Sequence, residues 1–361
     1  MTHIPDGTPR PPGPRPAGRR SLGGRRWVVV VTLAVALGLI AWPVLTSCDV
    51  FSDKGDPLSF GQDDTVTGRT DGGGSGPLMP TGPKADFRVA NTLTDGTKIG
   101  VVTLDGKKSG FKGKVWVWAP KQYDDPRYAK SGFPVLIALP GGNGYPVNYW
   151  MGTDLKLQSS IAEWSKEGKS LPFIVAMPVL NADDKNYYDG SDIPGRPKMG
   201  TWLTEDVPDL IKQNFRTLKS RDGWAFMGSS SGAFAGLKAV LKQPGKFKAV
   251  IASGPDIVPD SPLWAGHDKE KQENNPELLA QHLIDVKGPD VYLAFQVGTK
   301  EKTSMANTKE FLSAYGNKGP VHTMLREIPD GEHNAKTYVP SMGQGPIEWI
   351  SKHMEGPTPS G

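Results

Sequence analysis

A serine between two glycines is the feature of this sequence best suited to catalysis. The segment Gly228–Gly232 reads G-x-S-x-G, with Ser230 at its centre. The apolar run 223–227 before it has the length of a strand, and the alanine-rich run 233–240 after it has helical character. A sharp turn between a strand and a helix holds a serine hydroxyl clear of the backbone. We therefore predict that Ser230 is a nucleophile; the alternative is a loop that only links strand to helix.

A serine hydroxyl needs a base, and among the six histidines His333 is the candidate. It lies in the polar loop 329–334, between the last predicted strand, 322–328, and a final helix that contains Trp349. The remaining histidines precede or occupy predicted strands and helices, or lie in the N-terminal leader. We predict that His333 takes the serine proton; the alternative is a solvated surface histidine.

The acid that orients the histidine is expected after the preceding strand, because the chain order in this kind of site is serine, acid, histidine. Glu301 follows the predicted strand 291–297 and is our candidate. It could instead be one more charge of a solvated surface run. Asp290 and Glu310 are alternatives, but Asp290 precedes the strand and Glu310 falls within a predicted helix.

Two backbone amides are candidates for stabilising a negatively charged oxygen. One belongs to Ser231, which directly follows the nucleophile. The other is Gly142, in the segment Pro140–Gly144 that follows the apolar run 133–139. Glycines there let amide groups face a developing charge without obstruction by side chains. A glycine-rich turn without a chemical role is the alternative.

These residues require a scaffold of alternating strands and helices. Between residues 97 and 328 the pattern alternates from strand to helix, after an antiparallel entry formed by 97–104 and 114–119. It predicts a mostly parallel central sheet with helices on both faces, the α/β-hydrolase fold. The candidate residues then lie at the carboxyl ends of strands. The predicted helices are 156–166, 201–215, 275–286 and 306–317.

The segment from Thr201 to Val258, with its G-x-S-x-G core, resembles the esterase family that contains esterase D, feruloyl esterases and the antigen-85-type mycolyltransferases. A weaker likeness extends from about residue 110 to 349. The resemblance implies Ser230 as nucleophile, His333 as base and Glu301 as triad acid, with oxyanion donors at Gly142 and Ser231.

The sequence departs from the mycolyltransferases at the first oxyanion loop. Where those enzymes carry an aspartate and an arginine that help to hold trehalose, this chain has Pro140 and Asn143, which argues against trehalose as a substrate. Two polar regions, 181–199 and 259–274, are predicted to shape the substrate site. Tyr187, Tyr188 and Trp264 in these regions, and Trp150 outside them, are candidates for stacking on a sugar or lining an acyl groove. Surface packing is the alternative for each.

Charge and composition narrow the choice of partners. The formal net charge of the 361 residues is +4. Residues 1–47 carry six arginines against Asp6 and so account for +5, which leaves the remainder near −1. The basic balance therefore belongs to the leader and predicts no nucleic-acid binding. We expect no cofactor and no metal, because the histidines lack ligand spacing and there is a single cysteine.

The N-terminal region predicts export. After the arginines, the apolar run 27–45 is typical of a signal peptide or a membrane-spanning anchor. It ends in Leu-Thr-Ser-Cys, which resembles a bacterial lipobox with Cys48 as the lipid attachment site. A chance cysteine after a spanning anchor is the alternative. We predict a leader over 1–47, a flexible Gly/Pro/Ser-rich linker over 48–86 and a catalytic domain over 87–361.

Together these features predict an extracytoplasmic serine carboxylester hydrolase that works through an acyl-enzyme. We expect it to act on a small-molecule, lipid or carbohydrate ester, and to be held at the outer face of the cell membrane or secreted. Transfer of the acyl group to an envelope sugar is the close alternative, because it uses the same machinery. A binding protein with a hydrolase-like fold and no catalysis is the other alternative.

Overall fold

The computed structural model describes residues 55–61 and 76–359, all within one compact unit, Cys48–Gly361. Some of the predicted features lie outside the described residues. They are the leader over 1–47 with its apolar run, the predicted lipid attachment site Cys48, and residues 49–54 and 62–75 of the predicted linker. Among the residues that are described, no helix has both the length and the apolar character needed to cross a membrane.

A ten-stranded sheet formed by the described residues dominates the fold. The strands of the described residues are β1 Pro57–Leu58, β2 Pro77–Leu78, β3 Phe87–Thr92, β4 Lys98–Asp105, β5 Lys112–Trp118, β6 Val135–Leu139, β7 Ile174–Pro178, β8 Thr217–Leu218, β9 Trp224–Ser229, β10 Ala249–Ser253, β11 Val291–Gly298 and β12 Val321–Ile328. The order in the large sheet is β1-β3-β4-β5-β7-β6-β9-β10-β11-β12, and a two-stranded sheet pairs β2 with β8. The first four strands in this order run antiparallel to their neighbours, whereas the last six, β7, β6, β9, β10, β11 and β12, are mutually parallel.

Helices connect the parallel strands. The α-helices are α1 Leu157–Lys166, α2 Val207–Asn214, α3 Ser231–Lys242, α4 Asp268–Gln272, α5 Pro276–Asp285, α6 Lys302–Tyr315, α7 Ala335–Met342 and α8 Pro346–Lys352. The helix α2 continues a three-residue turn, Met199–Thr201, and a π-helical turn, Trp202–Asp206. Short 3-10 turns lie at Lys121–Asp124, Pro126–Tyr128, Tyr149–Met151, Arg221–Gly223 and Pro262–Trp264.

The central strands are buried on both faces. Every residue of β6, β7, β9 and β10 is buried. Because successive side chains of a strand point to opposite faces, complete burial means that both faces of the sheet are covered. The helix α3 packs on β9 and β10, and α8 packs on β10 and β11. The continuous apolar runs of the sequence therefore form the core that fixes the ends of these strands.

The elements predicted from periodicity are present with small shifts at their ends; for example, α6 begins at Lys302 rather than at residue 306. Several elements were not predicted: the strands β1, β2, β3 and β8 and the helices α4 and α7. The helix α7 carries Pro340 in its interior, which hides a helical pattern. Its start has a recognisable signal, because the side chain of Asn334 accepts a hydrogen bond from the amide of Thr337 at 2.9 Å.

The predicted flexible linker over 48–86 differs from the structure in its described parts. Residues 57–58 form β1 on the edge of the main sheet, and 77–78 pair with β8. The ring of Phe60 lies 5.5 Å from that of Phe87 and 4.9 Å from that of Phe215. The Gly/Pro-rich composition obscured these few apolar residues, whose burial offsets the entropy cost of ordering the segment.

The aromatic contact of Phe60 predicts a contribution to stability. We expect Phe60→Ala to lower the free energy of unfolding by about 2 kcal/mol, because it removes a half-buried ring from two aromatic neighbours. Urea unfolding of the domain measures the change. The exposed Val286 offers a control, since Val286→Ala should leave the midpoint nearly unchanged. Equal midpoints for both variants and the parent would contradict the packing of this segment.

Candidate active site

The turn around Ser230 has the strained geometry expected from its sequence. Strand β9 ends at Ser229 and helix α3 begins at Ser231, and Ser230 between them has φ 54° and ψ −125°. The amide of Ser230 donates to the carbonyl of Ser253 on the neighbouring strand at 2.9 Å. Positive φ is costly for a residue with a side chain, so surrounding contacts must hold this conformation.

The two glycines of the motif allow the turn to close. A Cβ added at Gly228 would lie 2.5 Å from the carbonyl carbon of Gly232. A Cβ added at Gly232 would lie 2.3 Å from the carbonyl oxygen of Pro140, in the predicted oxyanion loop. Both distances are far below van der Waals contact, so side chains at these positions would push apart the strand, the helix and the loop.

The structure brings Glu301 and His333 together. Oε2 of Glu301 lies 2.5 Å from Nδ1 of His333. The carboxylate is 3% exposed and the imidazole 47% exposed, so the pair reaches from the interior to the surface. Strands β11 and β12 are parallel and end in register at Gly298 and Ile328. The loops that carry the two residues therefore leave the same edge of the sheet.

The glutamate is held by two further hydrogen bonds. The amide of Gly298 donates to Oε1 at 2.6 Å, and the hydroxyl of Tyr338 donates to Oε2 at 2.7 Å. Tyr338 lies on α7, is fully buried and was missed by the sequence reasoning. The signal that could have found it is the cap residue Asn334, which starts a helix directly after His333.

The electrostatic environment makes His333 a stronger base. The hydrogen bond to Glu301 raises the pKa of His333 above its usual 6.5, partial burial opposes this rise, and the carboxylates of Glu301 and Asp256 add to it. Burial raises the pKa of Tyr338, so its phenol remains a proton donor across the physiological range. Nδ1 of the imidazole is thus held by the acid, which leaves Nε2 as the nitrogen that can exchange a proton with a reacting group.

The predicted oxyanion loop contacts the serine turn. The hydroxyl of Ser231 donates to the carbonyl of Gly142 at 2.9 Å. The amide of Gly141 donates to the hydroxyl of Tyr149 at 2.7 Å, and this phenol also hydrogen bonds the side chain of Ser229. Because the phenol engages the Gly141 amide, the next amide along the chain, that of Gly142, is the candidate for an oxyanion. Gly142 has φ +65°, which glycine adopts readily.

The alternative acids lie elsewhere. Asp290 precedes β11, at the opposite end of the strand from Glu301, and its carboxylate lies 2.8 Å from Nε2 of His322. Glu310 is exposed on α6. Neither is hydrogen bonded to His333, whose Nδ1 contacts are Glu301 and Tyr338 in the part of the chain that the structure describes.

Of the four aromatic residues considered for contact with a substrate or for packing, only Tyr187 is exposed. Its exposed fraction is 43%, against 3% for Tyr188, 0% for Trp150 and 2% for Trp264. The three buried rings belong to the packing of the domain. Trp264 has a structural role, because its indole nitrogen donates to Oδ2 of Asp189 at 2.6 Å.

The two polar regions predicted to shape the site, 181–199 and 259–274, are joined to each other and to the nucleophile helix. The Asp189 carboxylate, in the first region, accepts hydrogen bonds from two groups of the second, the indole N–H of Trp264 at 2.6 Å and the amide of Ser261 at 3.1 Å. The ammonium of Lys238 on α3 donates to the carbonyls of Asp189 and Gly190 at 2.6 Å each. Burial lowers the pKa of Lys238 to about 7.

Comparison with known proteins identifies the family. A family model described as "Putative esterase" matches residues 109–342, well over half of the chain. The chain belongs to this esterase family. The match spans the serine turn, the oxyanion loop and the loops of Glu301 and His333, so the segment that resembles serine esterases includes every candidate catalytic residue.

Similar proteins and structures agree with the fold. An uncharacterized protein of Corynebacterium glutamicum is 22% identical over 286 residues, which cover 75% of this chain and 64% of the relative, so the chain spans less than two thirds of that relative. A ferulic acid esterase structure has a TM-score of 0.57 at 17% identity, over 72% of this chain and 98% of its own. An S-formylglutathione hydrolase from Agrobacterium tumefaciens has a TM-score of 0.55 at 18% identity, over 73% and 98%. The predicted α/β-hydrolase fold is confirmed.

The close approach at Gly254 yields a prediction for the esterase. Gly254 has φ +51°, and a Cβ there would lie 2.2 Å from the hydroxyl of Tyr338 and 2.5 Å from Oε2 of Glu301. We expect Gly254→Ala to lower kcat/KM for a nitrophenyl ester at least about 100-fold, because it displaces the acid and with it the imidazole. Initial rates with purified protein measure the effect.

Gly96 supplies the matched control, because it also has a positive φ, +86°, but no atom within 4 Å of an added Cβ. Both alanine variants carry the backbone strain of roughly 1–2 kcal/mol, and only Gly254→Ala should lose activity. Comparable losses in both variants would mean that backbone strain, and not the collision with the acid, is responsible.

Proposed function

We propose that this esterase is a carboxylic ester hydrolase with a catalytic triad of Ser230, His333 and Glu301. The observation that carries the proposal is the 2.5 Å contact between Oε2 of Glu301 and Nδ1 of His333. It stands at the same sheet edge as the strained serine turn, because β9, β10, β11 and β12 are parallel neighbours. The arrangement is that of an activated serine with a base oriented by a buried acid.

The first half of the proposed reaction forms an acyl-enzyme. Nε2 of His333 takes the hydroxyl proton of Ser230 as the serine oxygen attacks the ester carbonyl carbon. The carbonyl oxygen becomes negatively charged and accepts hydrogen bonds from the amides of Gly142 and Ser231. When the tetrahedral intermediate collapses, the alcohol leaves with the proton from His333, and the acyl group remains on Ser230.

The second half repeats these steps with water. His333 takes a proton from water as the water oxygen attacks the acyl carbon, and the proton then returns to the oxygen of Ser230 while the acid leaves. Glu301 keeps its charge throughout and stabilises the imidazolium that forms twice per turnover. The raised pKa of His333 means that activity should be lost as the pH falls through a value above the usual 6.5.

Chemical labelling tests the nucleophile. We expect a fluorophosphonate probe to label the wild-type domain and to leave Ser230→Ala unlabelled, because only an activated serine displaces fluoride at a useful rate. The exposed Ser313 on α6 offers a matched control, and Ser313→Ala should label like the wild type. Gel fluorescence after a time course measures the rates.

Two outcomes would contradict the proposal in different ways. Equal labelling of the wild type and Ser230→Ala would place the reactive group elsewhere, whereas absent labelling in both would favour a binding protein without catalysis. A product assay with water as the sole acceptor then separates hydrolysis from acyl transfer to a sugar, since transfer alone gives no free acid.

We further propose that the enzyme is held outside the cytoplasm, at the membrane, through a lipid on Cys48. The support is in the sequence, where an arginine-rich stretch and the apolar run 27–45 lead to Leu-Thr-Ser-Cys. A thioether lipid would account for a lone cysteine at this place. Small-molecule esters in the cell envelope would then be the accessible substrates.

Metabolic labelling tests the lipid. Cells expressing the full chain and fed a clickable palmitate analogue should incorporate it into the wild type and not into Cys48→Ser, because the sulfur is the only proposed attachment atom. The membrane fraction of each culture reports whether the apolar run alone retains the chain. Equal incorporation in both proteins, or none in the wild type, would contradict lipidation at Cys48.

A further inference from the structure

A buried tyrosine contacts both partners of the acid–base pair. The hydroxyl of Tyr338 donates to Oε2 of Glu301 at 2.7 Å and lies 3.0 Å from Nδ1 of His333. Tyr338 is 0% exposed. A phenol has one proton and an ionised carboxylate only accepts, so this proton points to the same carboxylate oxygen that faces the imidazole.

The backbone opposite the phenol is shaped to admit its oxygen. A Cβ at Gly254 would lie 2.2 Å from the hydroxyl of Tyr338, nearer than to Glu301 or His333. Gly254 follows β10, and its amide donates to the carbonyl of Gln296 on β11 at 2.8 Å. The space that holds the hydroxyl is therefore part of the sheet edge, and a phenylalanine ring would fit at position 338 without filling it.

We propose that Tyr338 is a positioning residue that fixes the rotamer of Glu301 and weakens the electrostatic attraction between the Glu301 carboxylate and the His333 imidazole. The proposal rests on the triad proposed above. With the phenol in place, Oε2 shares its charge between two donors while Oε1 is held by the amide of Gly298 at 2.6 Å. Every oxygen of the buried carboxylate is thereby engaged, which burial of a charge requires.

The direction of the effect on the base follows from charge. Without the phenol proton, more negative charge on Oε2 faces the imidazole, and the imidazolium form of His333 is stabilised. The pKa of His333 then rises further, and less of the neutral, active form is present at any given acidic pH. A tyrosine that served only for packing would have no such effect, because phenylalanine keeps the ring.

The pH profile of Tyr338→Phe tests the proposal. We expect the acidic limb of kcat/KM to move to higher pH and kcat at its plateau to fall about tenfold, the loss of one charge-assisted hydrogen bond, with KM within about twofold. Tyr338→3-fluorotyrosine, a stronger donor of nearly the same shape, should move the acidic limb to lower pH. The opposite signs of the two shifts are the signature of the phenol proton.

Tyr315→Phe is the matched control, because it removes the hydroxyl of a tyrosine on α6, and its profile should coincide with that of the wild type. Thermal unfolding of each variant checks that the domain is folded. The role of Tyr338 would be overturned, with the triad intact, if the acidic limb of kcat/KM did not move in either Tyr338→Phe or Tyr338→3-fluorotyrosine, or if it moved in the same direction in both. Failure of the triad itself would instead appear as an unlabelled wild type in the fluorophosphonate assay.

Discussion

The burial of the Glu301 carboxylate is the constraint on which the site depends. A charge that is 3% exposed persists only if hydrogen bonds replace the water that it lost. The three donors come from the end of β11, from the loop after β12 and from α7, so the charge ties together three separate parts of the chain. The same bonds that satisfy the carboxylate orient the imidazole, and stability and chemistry are therefore served by one set of contacts.

The parallel sheet supplies the second constraint. Strands that run in the same direction deliver their following loops to one edge, and the register of β9, β10, β11 and β12 sets how closely those loops meet. The amide of Ser230 ties its turn to β10 by a hydrogen bond to Ser253. Gly254, the first residue after β10, has no side chain, and the space that a Cβ would need is taken by the acid. Close approach of backbone and side chains, rather than any single strong bond, holds the geometry.

Local patterns predicted much of this arrangement. The apolar runs predicted β6, β7, β9 and β10, because a strand that is buried on both faces is an uninterrupted run of hydrophobic residues in the sequence. The helix α7 was missed since its interior proline breaks the pattern. The ordered parts of the linker were missed since their few apolar residues, such as Leu58 and Phe60, lie in a segment rich in Gly, Pro and polar residues. Three of the four aromatic candidates are buried. Local sequence does not show this, because a ring beside polar residues can pack against residues distant in the chain, as Trp264 does when its indole donates to Asp189.

The sequence alone determined the residue types and their order: a serine in a glycine turn, an acid and a histidine, each after a strand, and a lone cysteine after an apolar run. These depend only on neighbours in the chain, where backbone geometry and periodicity act. Tertiary structure decided that Glu301 rather than Asp290 meets the imidazole, that Tyr338 joins them and that Gly254 must lack a side chain. Such contacts join residues far apart in sequence, and their distances are set by strand register and packing.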